Sequence, residues 1–255
     1  GGLLSLIIWL FQSCGEYFWL FAWALISGFM FFMALFYSSL IVPLFNKQKP
    51  LAEGELRDMI QSFCDKVGYK LKNIYVIDGS KRSTKANAYF TGFGKKKRIV
   101  LYDTLINDLN KEEIVSVLAH EIGHNKKKHT VQSIILSVIQ TGIILFIFSK
   151  VVDNPLLSQA LGASQHGFHL GLITFGILFS PISFITGIGL NILSRKNEFE
   201  ADAFAAQNCD GSHLINALKK LTEKNLSNLT PHPLYVFFHY SHPTLLERIR
   251  KINAL

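Results

Sequence analysis

Three uncharged apolar blocks divide the chain. The first covers residues 17–45 with no charge after Glu16, the second covers 130–149, and the third covers 170–193. A helix rises about 1.5 Å per residue and a bilayer core takes roughly 20 apolar residues to cross. Each block is therefore long enough to span, the second only just. Tyr17, Trp19, Trp23 and Tyr37 suit the interfacial belts where amphipathic rings gather. Uncharged runs of this length are rare as core helices of soluble folds. Residues 1–11 are apolar but too short to span, and they lack an initiator Met and a basic leader region. The pattern predicts a chain that begins part-way through a longer membrane protein.

The polar stretches between the blocks carry shorter periodicities. Over residues 50–67, Leu56, Met59, Ile60, Phe63 and Val67 recur at helical spacing, and Gly68 ends the pattern. Residues 73–78 read as a short strand. Residues 86–93 and 98–102 read as two strands joined by a turn at 94–97. Asn110 can cap a helix, with Glu113 three residues on as a capping box requires. Glu112 and Glu113 also suit the positive end of the helix dipole. This helix carries Ile114, Val117 and Leu118 on one side, passes through His124, and is predicted to continue through Lys126–Lys128 into the second block. Polar helices follow over 196–208, 212–225 and 243–252, with Pro243 in a first turn. The fold class predicted is mainly α: a multi-span helical membrane protein carrying a small α+β domain. Four regions result: an apolar segment and first span (1–45), a polar region with the hairpin (46–128), two spans with their link (129–194), and a helical tail (195–255).

Charge gives this layout a direction. Charged residues are only 17% and apolar ones 49%, against about a quarter charged in an ordinary soluble domain. Lys and Arg crowd residues 46–128, in Lys81-Arg82, Lys95–Arg98 and Lys126–Lys128, and return after residue 193. The 150–169 link carries almost none. By the positive-inside rule the 46–128 region and the tail face the cytoplasm. The net charge of +8 follows from the same bias, and no nucleic-acid-binding motif accompanies it. Cys14, Cys64 and Cys209 stand singly, as free thiols in a reducing setting.

The polar helix that starts at Asn110 carries His120-Glu121-Ile122-Gly123-His124, the H-E-x-x-H pattern of zinc peptidases. Successive helical residues turn by about 100°, so His120 and His124 project from one face and can reach one zinc ion. Glu121 can reach a water at the same ion and act as general base. Catalytic zinc takes three protein ligands and keeps one position open. Glu198 is the expected third ligand, in Glu198-Phe199-Glu200-Ala201-Asp202. Asp202 shares its helix face and can hold the free ring N–H of a zinc-bound histidine, whereas Glu200 points away. His124 lies about five residues before the second span and Glu198 about five after the third. Both are then expected within roughly 10 Å of the membrane surface.

With these residues the chain resembles the type-1 CaaX prenyl endopeptidases, integral-membrane zinc metalloproteases. Further matching stretches are residues 43–47, 54–56, 78–80, 87–90, 97–105, 194–195 and 240–248, so the likeness runs from about residue 17 to the end. It implies a zincin-like domain with one zinc ion on His120, His124 and Glu198, Glu121 as general base, and Asp202 behind the ligands. It also implies that Asn87 and Ala88 lie on an edge strand that pairs with an extended substrate peptide. Asn87 can equally be read as a turn residue before a strand. His242 and Arg248 are similar to family residues near the active site, where a His or Arg could act catalytically by stabilising an oxyanion. The alternatives are that His242 caps the last helix and that Arg248 makes a structural ion pair. The remaining histidines, His129 among them, read as ordinary surface or interfacial residues. The family has seven membrane helices around an internal chamber, whereas three spans are present here. Glu200 stands where a Gln is more usual.

The reading that results is a multi-pass membrane zinc endopeptidase with its active site facing the cytoplasm. Its expected partners are membrane lipid and an extended peptide or lipidated protein C-terminus, with no nucleic acid. In the CaaX version it removes three residues after a prenylated cysteine, in an endoplasmic reticulum membrane if eukaryotic. A second version is a bacterial-type quality-control protease with no prenyl requirement, in the cytoplasmic membrane. A rival of another class is a non-catalytic membrane protein with a structural metal site. Structural zinc sites are usually closed by four Cys or His ligands, which two His and a Glu do not supply.

Overall fold

Long uncharged runs form helices because only an internally hydrogen-bonded backbone is tolerated in an apolar surrounding, and here the helices extend beyond the apolar runs. The computed structural model describes residues 1–71, 73–81, 88–91, 98–165 and 167–255. In chain order the elements are α1 (Gly2–Cys14), α2 (Phe18–Phe36), α3 (Val42–Phe45), β1 (Gln48–Pro50), α4 (Glu55–Lys66), β2 (Asn73–Ile77), β3 (Ala88–Thr91) and β4 (Arg98–Tyr102). Then come α5 (Asp103–Asp108), α6 (Lys111–Lys126), α7 (His129–Val151), α8 (Pro155–Gln159), α9 (Phe168–Asn208), α10 (Gly211–Lys224), α11 (Pro233–His239) and α12 (Leu245–Ile252). Among the described residues, Gly2–Phe36, His129–Val151 and Phe168–Asn208 are long and apolar enough to cross a membrane.

The chain divides into two compact units. The first comprises Gly1–Ala34 and Val131–Gly187. Its core is aromatic: Phe18, Phe148 and Val152 are buried, with Phe11, Cys14, Phe168 and Phe175 packed around them. The Trp23 indole N–H donates to the Val138 carbonyl at 2.8 Å. That approach needs Gly142, because a Cβ there would stand 2.9 Å from the indole nitrogen.

The second unit, Leu35–Thr130 with Ile188–Leu255, is built on a four-stranded sheet of order β1-β2-β4-β3. β2 and β4 are parallel, and β1 and β3 pair antiparallel to them on either side. β4 is central, and its Ile99-Val100-Leu101 run is fully buried, as expected of a strand covered on both faces. Its core is shared with Ile60 and Phe63 of α4, Ile114, Leu118 and Ile122 of α6, and Leu214 and Ala217 of α10. β3 forms one edge of the sheet and holds Ala88 opposite Leu101. The expected hairpin is present as β3 and β4, whereas its 94–97 turn and Asn87 lie outside the described residues.

The Asn110–Glu113 capping box forms as the sequence predicts. Glu113 is buried and also accepts from Lys220 Nζ of α10 at 2.7 Å, so its charge is paired as a buried carboxylate requires.

Three sequence expectations are corrected. α6 does not run on into α7: it ends at Lys126, and Lys128 takes a left-handed φ of 60°. That conformation costs a non-glycine residue about 1 kcal/mol and turns the chain before His129. The helix expected at 196–208 is not separate, because α9 is one helix from Phe168 to Asn208 and carries Pro181 inside it. The last helix starts at Leu245 on a Thr244–Glu247 capping box, and Pro243 precedes it. β1, α5, α8 and α11 are short elements that the sequence pattern does not announce.

Candidate metal centre

α6 and α9 approach closely because Gly123 has no side chain. A Cβ on Gly123 would lie 3.1 Å from Ala201 Cα and 3.2 Å from Phe204 Cβ. The contact sets the His120–His124 turn of α6 against the Glu198–Asp202 turn of α9. His124 Nε2 lies 3.1 Å from His120 Nε2 and 3.3 Å from Glu198 Oε1, and His120 Nε2 lies 3.5 Å from Glu198 Oε2. One donor atom from each residue falls within 4.8 Å of the other two. His120 and Glu198 are buried. Two imidazole nitrogens and a carboxylate converging from neighbouring helices form a donor set that fits a single divalent cation such as zinc.

The groups behind these atoms are also ordered. Asp202 is 1% exposed and its Oδ1 accepts from His120 Nδ1 at 2.9 Å. Arg248 of α12 reaches the same carboxylate twice, Nε to Oδ2 at 2.8 Å and Nη2 to Oδ1 at 2.5 Å. Its Nη1 lies 3.5 Å from Glu198 Oε2. The buried guanidinium is thus paired with a carboxylate in the two-pronged geometry that suits it best. His242 does not cap α12, since Thr244 does. Its Nε2 stands 3.5 Å from Glu198 Oε1, and Ser241 Oγ lies 2.9 Å from its Nδ1. The stretch before it is tied to α9, whose Arg195 guanidinium donates to the Val236 and Tyr240 carbonyls.

A cavity of about 450 Å³ opens beside these residues. His120, Glu121, His124, Glu198, His242 and Arg248 line one part, and Leu105, Val117, Leu214, Leu218 and Leu221 form an apolar wall with Ala88 of β3. Burial pushes the Glu121 carboxyl above the ordinary carboxylate range, and the Glu198 charge adds to this against the two imidazoles and Arg248. Burial pulls His124 down, but its bond to Glu198 and the charges of Glu198 and Glu121 hold it above the ordinary imidazole value.

Residues 50–255 match peptidase family M48, and residues 1–47 match the CAAX prenyl protease N-terminal family of five membrane helices. The chain belongs to peptidase family M48. It is 41% identical to a CAAX prenyl protease 1 homolog of Arabidopsis thaliana, over 99% of this chain and 60% of that one. It is 40% identical to CAAX prenyl protease 1 of Saccharomyces cerevisiae, over 84% and 51%, and 35% identical to the Homo sapiens homolog, over 98% and 61%. The crystal structure of S. mikatae Ste24p superposes with a TM-score of 0.90 at 36% identity, covering 99% of this chain and 62% of the other. The chain thus spans between half and two thirds of the length of these relatives. Membership of M48 implies a metal ion. The apolar helices and the N-terminal family match make this an integral membrane protein.

Of the residues singled out in the sequence, the structure brings together His120, Glu121, His124, Glu198, Asp202, His242, Arg248 and Ala88. Asn87 lies outside the described residues. One sequence reading is corrected: His129 is no surface residue but is buried against His124, with Nδ1 2.9 Å from His124 Nδ1. In a continuous helix a residue five positions on would lie about 140° away from His124, and the Lys127–Lys128 turn removes that separation. The sequence pattern does not mark the apolar lining either: Leu214, Leu218 and Leu221 recur at the spacing of any core-facing helix stripe, so spacing alone does not distinguish a cavity wall from core.

Proposed function

We infer that the chain carries the catalytic centre of a membrane zinc endopeptidase that cleaves near the C-terminus of prenylated CaaX proteins. The observation that carries this reading is the convergence of His120, His124 and Glu198 on one point of a cavity that also holds Glu121. These three residues would hold one zinc ion, which when bound supplies Lewis acidity towards the scissile carbonyl. Glu121 is the general base, set in the cavity beside the three candidate ligands, where it can take a proton from water and return it to the leaving amine. His242 lines the cavity and can donate from Nε2 to the oxygen that gains charge in the transition state. Arg248 has two of its nitrogens committed to Asp202, which supports the ion-pair role. Through Asp202 it steadies His120, and its Nη1 adds positive charge beside Glu198.

Among the described residues β3 is an edge strand, and the extended substrate would pair along it at Ala88; the resemblance adds Asn87, which lies outside the described residues. An edge strand offers unpaired N–H and C=O groups to such a chain. Val117, Leu218 and Leu221, the partly exposed residues of the wall, suit the aliphatic side chains of a CaaX tail. Three residues would be released after the prenylated cysteine. Relatives bearing the CAAX prenyl protease name come from plants, yeast and human, which favours an endoplasmic reticulum membrane over a bacterial one. The basic flanks of the spans favour a cytoplasm-facing site.

The test is mass spectrometry of products from a farnesylated CaaX peptide and its unprenylated twin, with wild type and Glu121→Gln at equal zinc content. Release of the tripeptide from the farnesylated peptide alone, abolished in the variant, is expected. Equal cutting of both peptides would point to a general quality-control protease. Equal activity of wild type and variant, or no cutting by either, refutes the enzymatic reading.

A further inference from the structure

The two imidazoles of the H-E-x-x-H turn are backed differently. His120 leans on Asp202, which is neutralised by Arg248. Behind His124 stands a third imidazole. His129 is buried, its ring centroid is 5.1 Å from that of His124, and the two Nδ1 atoms are 2.9 Å apart. On its far side His129 Nε2 lies 3.4 Å from Glu200 Oε2, and Glu200 faces Lys196 Nζ at 3.9 Å.

Ring chemistry fixes the order of protons along this line. His124 presents Nε2 to His120 and Glu198, so Nε2 is the nitrogen that would hold the metal and would then carry a lone pair. The His124 proton is then on Nδ1 and is donated to His129 Nδ1. An accepting Nδ1 leaves the His129 proton on Nε2, where it points to Glu200. We propose that His129 is a positioning residue for the metal ligand His124, and that Glu200 selects the His129 tautomer able to accept. This rests on the zinc reading above. It also assigns a task to the carboxylate that the sequence pattern turned away from the ligand face. Each arm is charge-balanced in its own way: Asp202 against Arg248 behind His120, and a neutral imidazole backed by the half-exposed Glu200–Lys196 pair behind His124. The left-handed turn at Lys128 is what brings His129 back over His124.

The test is the zinc dissociation constant of the whole chain in mild detergent, measured by competition with a chromophoric chelator. His129→Phe keeps the ring volume and removes the acceptor, and is expected to weaken zinc binding by about 10- to 100-fold. His129→Asn places its amide oxygen where Nδ1 stood and is expected to recover most of that loss. Glu200→Gln still accepts from His129 and should bind zinc like wild type, whereas Glu200→Leu should bind more weakly. A packing role predicts the reverse ranking, with Phe tolerated and Asn damaging. Wild-type affinity in His129→Phe, or equal affinities in Glu200→Gln and Glu200→Leu, overturns the proposal. The Glu200 pair decides the matter if the His129 variants do not fold. Wild-type protein whose zinc binding is indifferent to His120→Ala sinks the zinc reading itself, a different outcome from silence at His129 alone.

Discussion

Asp202→Asn separates a structural ion pair from a catalytic arginine. Asp202 accepts from His120 Nδ1 and from two Arg248 nitrogens, and it is 1% exposed. The amide has the same shape but no charge, and its NH2 group must face one of those donors. Removing one partner of a buried pair costs about 3–5 kcal/mol because the other charge is stranded. Glu198 still lies 3.5 Å from Arg248 Nη1, so the lower figure applies, about 3 kcal/mol. For a chain of this size that is a fall of about 6–12 °C in the unfolding midpoint. Arg248→Met should cost a similar amount. The double variant strands neither charge and should recover about 2 kcal/mol of the summed losses. The assay is equilibrium unfolding of the four proteins in mild detergent under a chelator, so that metal binding does not enter. Singles that add to the double within about 0.5 kcal/mol would refute the coupling and reopen Arg248 as a residue acting independently of Asp202.

Four further outcomes follow from the geometry. Glu121→Gln should lower kcat by about 10²- to 10⁴-fold with zinc content unchanged, checked by peptide cleavage beside metal analysis. Glu198→Ala should empty the metal site far more than Glu200→Ala does, measured by zinc stoichiometry after gel filtration. Gly123→Ala places a methyl 3.1 Å from Ala201 Cα, so α6 and α9 must separate by a few tenths of an ångström; weaker zinc binding by chelator competition is expected. Desolvation raises Asp103, but hydrogen bonds from Ser80 Oγ and the N–H groups of Ser80, Thr104 and Gly79 outweigh it and hold its carboxyl below the ordinary range. A depressed folded-state value means the contribution is complete above about pH 4, the unfolded value, and is lost as pH falls through the lower folded one. Asp103→Asn should therefore remove about 1 kcal/mol at neutral pH, after solvent screening, and nothing at strongly acidic pH; an equal loss at both, read from unfolding curves, contradicts the clamp.

Much of this arrangement is visible in the residue pattern because the decisive features are local. A capping box, an i, i+4 histidine pair and a carboxylate one turn from another carboxylate each depend on a single helix, and helical spacing fixes their faces. The same logic fails at His129, since its proximity depends on one left-handed lysine that composition does not mark. It also fails for α11, whose end is tied by Arg195, a contact between residues far apart in sequence, and at the start of α12, where the Thr244 cap sits beside a proline. The extent of α9 was underestimated because a change from apolar to polar composition looks like a boundary, although nothing between Leu193 and Lys196 breaks a helix.

Arg195 ties the carbonyls at the end of α11 to α9, three positions before Glu198. The stretch leading to His242 is therefore lashed to the same rod that carries Glu198. If filling of the cleft alters the affinity for an ion at Glu198, linkage requires the ion to alter the affinity for the occupant by the same factor.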